Sequence, residues 1–210
     1  MNEWLPDFGG FSTFVLASAA LAVLPGPAVF YVLTRSLVQG RRSGMVSVAA
    51  IALGNLGNAL AVSLGIAALL AVYPLLLFLF KWVGAMYLVF IGGRMLLVPG
   101  KAAASPASVS LGPVFRDGVI VAFFNPKTTV FFAAFLPQFL AEGAHPLQGA
   151  VLGSAFVLIA AASDSMYALA AGMVAPALKG ASVRVVALRL GGAIWIALGI
   201  YAVLTGEMPG

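Results

Sequence analysis

The 210-residue chain is 62% hydrophobic and only 8% charged, with a mean hydropathy of +1.10 and a formal net charge of +5. A soluble domain has about 25% charged residues, so this composition predicts an integral membrane protein and excludes a large soluble domain within the sequence. The sequence has no Cys and one His, which excludes disulfide and thiolate chemistry and leaves little for a metal cluster. No cofactor is predicted.

Six apolar segments are long enough to cross a bilayer as helices, which takes about 20 residues each, and they lack the alternation of barrel strands. The first three lie at about 11–33, 44–71 and 75–97, and the second three at about 115–140, 147–175 and 186–204. Residues 98–113 between them are rich in Pro, Gly, Ala and Ser and are predicted to form a linker. The fold class is therefore all-α, with two three-span halves, 1–104 and 105–210.

The basic residues fall in alternate loops, which fixes the predicted orientation. Nine of the eleven Lys and Arg follow span one, surround the linker or follow span five, and only Lys81 and Lys127 lie inside spans. The positive-inside rule places these loops in the cytoplasm and both termini outside. The same loops account for the net positive charge, so no nucleic-acid partner is predicted.

The two halves look like copies of each other. Residues 189–196 in span six, RLGGAIWI, repeat the pattern of residues 81–88 in span three, KWVGAMYL. Both have a basic residue, Gly-Ala three or four positions on, and then aliphatic, aromatic and aliphatic residues. Because each copy crosses the membrane three times, the second copy enters from the opposite face, which predicts the inverted repeats of many secondary carriers.

Spans one and four are each interrupted, at residues 24–28 and 124–128. Proline lacks an N–H and its ring clashes with the preceding turn, so both interruptions leave backbone groups without helical partners. Within the membrane such groups are tolerated only in a protein interior or beside a wet cavity, and paired broken helices indicate a transporter's binding site. The predicted substrate-binding or gating residues here are Pro25, Gly26, Pro27, Asn125, Pro126 and Lys127.

Asp164 is the only carboxylate that these boundaries place well inside a span. An acid at that depth costs at least about 2.5 kcal/mol on insertion scales and usually marks an ion or proton pathway, so Asp164 is the candidate for proton coupling. The alternative is a structural Asp that caps broken backbone or pairs with a Lys. Lys127 has three options: it attracts a substrate carboxylate, pairs with Asp164, or points at the carbonyls that a break sets free.

Two further amides, Asn55 and Asn58 in span two, are candidates to line the cavity together with Asn125. The competing interpretation is interhelical hydrogen bonding, which is common in membrane bundles. Glycine-rich helix faces also permit a homodimer without requiring one.

The motifs resemble, in order and spacing, those of the LysE/RhtB family of amino-acid exporters. They are Pro25-Gly26-Pro27, the segments 33–37 and 40–44, the Asn125-Pro126-Lys127 motif and residues 131–139, and the resemblance covers nearly the whole chain. The resemblance implies a six-span carrier of the bacterial inner membrane that exports amino acids or similar small metabolites, driven by the proton motive force. The form of the motifs is closer to the homoserine and threonine branch, which implies a neutral substrate.

The functional hypothesis is therefore proton-coupled amino-acid export, with the substrate, protons and membrane lipids as partners. The first alternative is a passive, channel-like facilitator, which also uses broken helices and a polar constriction. An enzyme is disfavoured because the sequence lacks a carboxylate pair or HExxH spacing. A subunit that acts only with partners is the third alternative.

Overall fold

The computed structural model describes residues 8–65, 72–97, 110–140, 146–178 and 181–204, and within these ranges the chain is helical and has no strand. Most of the predicted linker (98–109), the end of predicted span two (66–71) and the loops with Lys101, Glu142 and Lys179 lie outside the described residues. The tail with Glu207 also lies outside them.

Eight helices occupy the described ranges. The first four are α1 (Phe8–Val23), α2 (Pro27–Gln39), α3 (Arg41–Ser63) and α4 (Pro74–Leu96). The next four are α5 (Leu111–Phe123), α6 (Pro126–Val130), α7 (Pro146–Val174) and α8 (Ala181–Leu204). A π-helical turn (Phe131–Phe135) and a 3₁₀ turn (Leu136–Phe139) continue α6, and a 3₁₀ turn (Ala175–Leu178) ends α7.

Three of these helices, α3, α4 and α7, are long and apolar enough to cross a membrane. The pairs α1–α2 and α5–α6 qualify when each pair is taken as one bent span, which gives five spans in the described part of the chain. The sixth predicted span corresponds to α8, which has 24 residues. Its apolar stretch, Leu188–Tyr201, is shorter than those of α3, α4 and α7.

The broken helices bend where the sequence predicts interruptions. The axes of α1 and α2 differ by 49°, and those of α5 and α6 with its continuation differ by 42°. Pro27 and Pro126 each stand in the first turn of the helix that follows the break, where an N–H has no intrahelical partner in any case. The π-helical turn after α6 is a second irregularity that the sequence analysis did not predict.

The connection after span one is shorter than predicted. Arg35 lies inside α2 and Arg41 begins α3, so Gly40 alone separates the two helices. Gly40 has a φ of 86°, which a residue with a side chain rarely adopts. The linker is also shorter, because α5 begins at Leu111 and takes Pro113 into its first turn.

Helices α4 and α8 pack closely and run antiparallel. A Cβ added to Gly92 would lie 2.6 Å from the Gly192 carbonyl oxygen, and one added to Gly199 would lie 2.8 Å from the Ala85 carbonyl oxygen. The contact partner on α8 therefore moves toward lower numbers as the chain advances along α4. Small residues at these positions let the two backbones approach.

Helices α3 and α7 are the second antiparallel pair. A Cβ on Gly149 would lie 2.8 Å from Ser63, whereas one on Gly172 would lie 3.1 Å from Arg41 at the opposite end of α3. The bundle thus has two distinct ends. We call one the arginine end, where α2 and α4 finish and α3 and α5 begin; it carries Arg35, Arg41, Arg42, Arg94 and Arg116.

The opposite end is closed by aromatic side chains, and we call it the phenylalanine end. Phe14 of α1 lies 5.9 Å from Phe131 and 5.4 Å from Phe139, measured between ring centroids. Phe131 also stacks on Phe156 of α7 at 4.7 Å. These rings tie α1 and α7 to the π-helical continuation of α6.

Candidate functional site

The two breaks meet inside the bundle through Lys127. Its side chain extends from the first turn of α6 to the end of α1, where Nζ donates a hydrogen bond to the carbonyl oxygen of Leu24. A Cβ added to Gly26 would lie 3.0 Å from Lys127 Cδ, so glycine leaves room for the lysine to pass. Of the three options for Lys127, the structure shows contact with a freed carbonyl, and that carbonyl belongs to the other broken helix.

A small cavity lies beside this contact. Its lining includes Gly26 and five polar residues, which come from both breaks and from two intact helices: Asn55, Asn125, Lys127, Thr128 and Asp164. Its volume is about 20 Å³, and a cavity needs roughly 10–15 Å³ on this scale to hold one water. The cavity therefore has room for about one water, far less than an amino acid needs.

The polar groups of this cavity are buried without being fully paired. Asp164 is 4% exposed and Asn55 is 2% exposed, and Asn55 Oδ1 has no hydrogen-bond partner among the described residues. Among the described residues both ion pairs within 4.0 Å belong to Asp117, so Lys127 and Asp164 line the same cavity without forming one. A buried acceptor without a partner has a free-energy cost of about 1–3 kcal/mol, which a polar ligand can remove.

Asn125 is both a cavity residue and a helix cap. Its side-chain oxygen accepts a hydrogen bond from the Lys127 backbone N–H at 3.1 Å, and its carbonyl accepts from Thr128 and Thr129. This capping holds the N-terminus of α6, where backbone N–H groups lack helical partners and favour negative charge. The broken helix therefore presents its positive end beside the cavity.

Asn58 lies outside the cavity lining, and its side chain forms a hydrogen bond with a backbone carbonyl of another helix. Its Nδ2 donates to the carbonyl oxygen of Ala122 at 3.1 Å, in the last turn of α5. The end of α1 has equivalent partners on α7, which the sequence analysis did not single out. Ser163 Oγ donates to Ala22 O at 3.3 Å, and Tyr167 Oη donates to Val23 O at 2.8 Å.

The prolines have different surroundings. Pro25 is exposed, whereas Pro27 is buried, and neither lines the cavity. Pro126 is partly buried and precedes Lys127. Their role in this structure is to interrupt and restart the helices, and Gly26 is the residue of the Pro25-Gly26-Pro27 motif that lines the cavity.

A second buried acid, Asp117 of α5, corrects the expectation that Asp164 is the only carboxylate well inside a span. Asp117 is 4% exposed; Arg35 Nη2 lies 3.4 Å from its Oδ2, and Tyr87 Oη donates to its Oδ1 at 3.1 Å. Arg116 also donates to Oδ1, at 2.9 Å and 3.2 Å. The sequence predicts that this span begins at about residue 115, four residues too late, which puts Asp117 at a span edge; an acid between Arg116 and an apolar run was the available signal.

The sequence profile of the LysE type translocator family matches residues 19–206 of the chain. An uncharacterized membrane protein of Pseudomonas aeruginosa is 32% identical over 175 residues, which cover 79% of this chain and 78% of that protein. Leucine efflux proteins are also similar. The protein from Salmonella typhimurium is 27% identical over 131 residues (61% of this chain, 62% of the relative), and the one from Klebsiella pneumoniae is 27% identical over 143 residues (64% and 66%).

No solved structure matches the chain. The family profile covers the breaks, the cavity residues and Asp117 together, so the family assignment applies to the whole site described here. The chain belongs to the LysE type translocator family and is a multi-pass membrane transporter rather than an enzyme.

Proposed function

We propose that this transporter exports neutral amino acids across the bacterial inner membrane, driven by the proton motive force. The observation that carries the proposal is the cavity between the two breaks, which brings together one Lys, one Asp and unpaired amide oxygen. The relatives named as leucine efflux proteins support amino-acid export as the activity.

The architecture proposed is six spans in two inverted three-span repeats. Antiparallel packing of α3 with α7 and of α4 with α8 supports it, because an inverted pair of repeats relates each of these helices to its antiparallel neighbour. The hydrogen bonds to the carbonyls at the ends of α1 and α5 follow the same pattern. The end of α1 accepts a hydrogen bond from α7, and the end of α5 accepts one from α3.

The charges of the cavity fit an amino-acid zwitterion. The substrate carboxylate is placed at the N-terminus of α6 and Lys127, and its ammonium group at Asp164 and the free Asn55 oxygen. With one acid in the lining, the cavity lacks a second anion for a cationic side chain. Phe156 and Ala160 on the same wall favour an apolar or small side chain, such as that of leucine, threonine or homoserine.

Asp164 is the proposed proton carrier. A carboxylate buried among apolar helices and without an ion-pair partner is costly as an anion, so protonation and substrate binding can compete for it. Competition between a proton and the substrate ammonium is the coupling that an antiporter needs. The arginine end is placed in the cytoplasm and both termini outside, as the positive-inside rule requires.

The test uses inside-out membrane vesicles energised to an acidic interior. Vesicles containing the transporter should accumulate radiolabelled leucine or threonine above the external concentration, and the Asp164→Asn variant should lose this accumulation. Ser165→Ala is the matched control, because in the described part of the chain the Ser165 hydroxyl bonds within its own helix, to Ala161 O at 2.7 Å. Full gradient-driven accumulation by Asp164→Asn would show that the coupling assignment is wrong.

Two further outcomes separate the alternatives. A substrate that equilibrates but never accumulates against its gradient would indicate a passive facilitator. A growth screen of an overexpressing strain on toxic analogues of leucine, threonine, homoserine and lysine then identifies the substrate class, and resistance to the lysine analogue alone would contradict a neutral substrate.

A further inference from the structure

The buried acid Asp117 joins helices that must separate if the cavity is to open toward the arginine end. Asp117 lies on α5 beside its partner Arg116, and its other partners lie on two different elements: Arg35 on α2 and Tyr87 on α4. The cluster is eight residues before Asn125, which places it about 12 Å from the cavity along the helix axis. No cavity residue takes part in it.

Helices α2 and α5 are held together at two more points beside this cluster. Tyr31 Oη donates to the carbonyl oxygen of Val114 at 2.7 Å, and a Cβ added to Gly118 would lie 3.1 Å from the Tyr31 ring. The Arg35 guanidinium also lies over the same ring, with its Cζ 5.0 Å from the centroid. These contacts pack the second half of one broken helix against the first half of the other.

The opposite half of each broken helix is closed by a different kind of contact. At the phenylalanine end α1 meets the continuation of α6 through Phe14, Phe131 and Phe139, all apolar. The Phe156 ring that stacks on Phe131 also lines the cavity, so this cluster reaches the site directly. The cavity thus lies between an ionic closure and an aromatic one.

We propose that the Arg35–Asp117–Tyr87 cluster is the gate that closes the cavity toward the arginine end, and that the Phe14–Phe131–Phe139 cluster is the gate toward the opposite face. In this structure the contacts of both gates are formed. This inference rests on the proposed transport function for its purpose, but its test measures access to the cavity and needs no transported substrate.

The absence of cysteine from the sequence makes the test direct. A single Ala160→Cys substitution places a thiol on the cavity wall, on a residue that is 7% exposed. Its reaction rate with a membrane-impermeant cationic methanethiosulfonate is measured from each face, in inside-out and in right-side-out vesicles. A separate Arg42→Cys chain, with the thiol at the exposed arginine end, controls for reagent access.

Adding Asp117→Asn or Arg35→Ala should accelerate modification of the cavity thiol about tenfold, the effect of raising an open population from about 1% to about 10%. The acceleration should appear only from the face that bears the arginine end, as identified by Arg42→Cys. Arg35→Lys keeps the charge and should restore a rate close to that of the parent. Phe14→Ala should accelerate modification from the other face alone.

Tyr87→Phe provides a milder variant that keeps every charge and removes one hydrogen bond, so it should give a smaller acceleration from the same face. Equal rates in all variants, or equal acceleration from both faces, would overturn the gate and leave the cluster as a structural contact. Face-specific acceleration without amino-acid transport would preserve the gate and refute the proposed function.

Discussion

The contact between α4 and α8 gives a prediction that compares two adjacent glycines. An alanine at Gly92 would place its Cβ 2.6 Å from the Gly192 carbonyl oxygen and 2.8 Å from Ile196 Cγ1, whereas ordinary contact begins at 3.4 Å. The helices must therefore separate locally by about 0.8 Å, a gap that loses a quarter to a half of the dispersion energy of each affected contact. Overpacking of this kind costs about 1–3 kcal/mol.

Gly93 is the internal control, because a Cβ there meets no atom of the described residues within 4 Å. Replacing either glycine with alanine brings the same gain in intrinsic helix propensity, so the difference between the two variants isolates the packing cost. Gly92→Ala should melt lower than Gly93→Ala by about 2–4 °C per kcal/mol in a thermal unfolding assay of the purified protein in detergent.

Gly192→Ala tests the same contact from the other side, since its Cβ would lie 2.8 Å from the Gly92 carbonyl oxygen. It should be destabilised to a similar extent as Gly92→Ala. If all three variants melted together, the close antiparallel approach of α4 and α8 would be wrong, and with it one of the two helix pairs that support inverted repeats.

Three other predictions concern the breaks. Asn125→Ala removes the cap of α6 and should cost about 1 kcal/mol in thermal stability, whereas Asn125→Asp, which can still accept from the Lys127 N–H, should restore most of it. Lys127→Met leaves the Leu24 carbonyl without its donor and should both lower the melting temperature and abolish vesicle accumulation, while Lys127→Arg should keep the fold; unchanged transport by Lys127→Met would contradict its placement in the site. Asn58→Ala removes one hydrogen bond to the Ala122 carbonyl, which still accepts from the Asn125 N–H, and should cost about 0.5–1.5 kcal/mol in stability with little change in substrate KM; a selective change in KM would instead assign Asn58 to binding.

The positions of the breaks were predictable from the sequence because proline and glycine act on the backbone at the residue where they stand. Pro27 and Pro126 stop and restart helices whatever packs against them. The partner of Lys127 was not predictable, since three acceptors or ligands were within reach of so long a side chain. Only the packing of the two broken helices against each other selects the Leu24 carbonyl.

The separate roles of the two asparagines of α3 were also not predictable from the sequence. Asn55 and Asn58 are three residues apart and both are buried, yet one lines the cavity and the other bonds to α5. Their residue type and spacing are compatible with either role. Asp117 was missed for a different reason: helix boundaries near a Pro- and Gly-rich segment are poorly fixed by composition, and a shift of four residues moved the acid from a helix interior to a span edge.

The tightness of the cavity has a consequence for when such a carrier works. With room for about one water, the resting protein cannot hold a metabolite until its helices part, so the apparent dissociation constant equals the intrinsic one divided by the open fraction. An open fraction of about 1% weakens apparent affinity about a hundredfold. Export would then stay far from saturation. Its rate would be low at a low cytoplasmic substrate concentration and would rise nearly in proportion to that concentration.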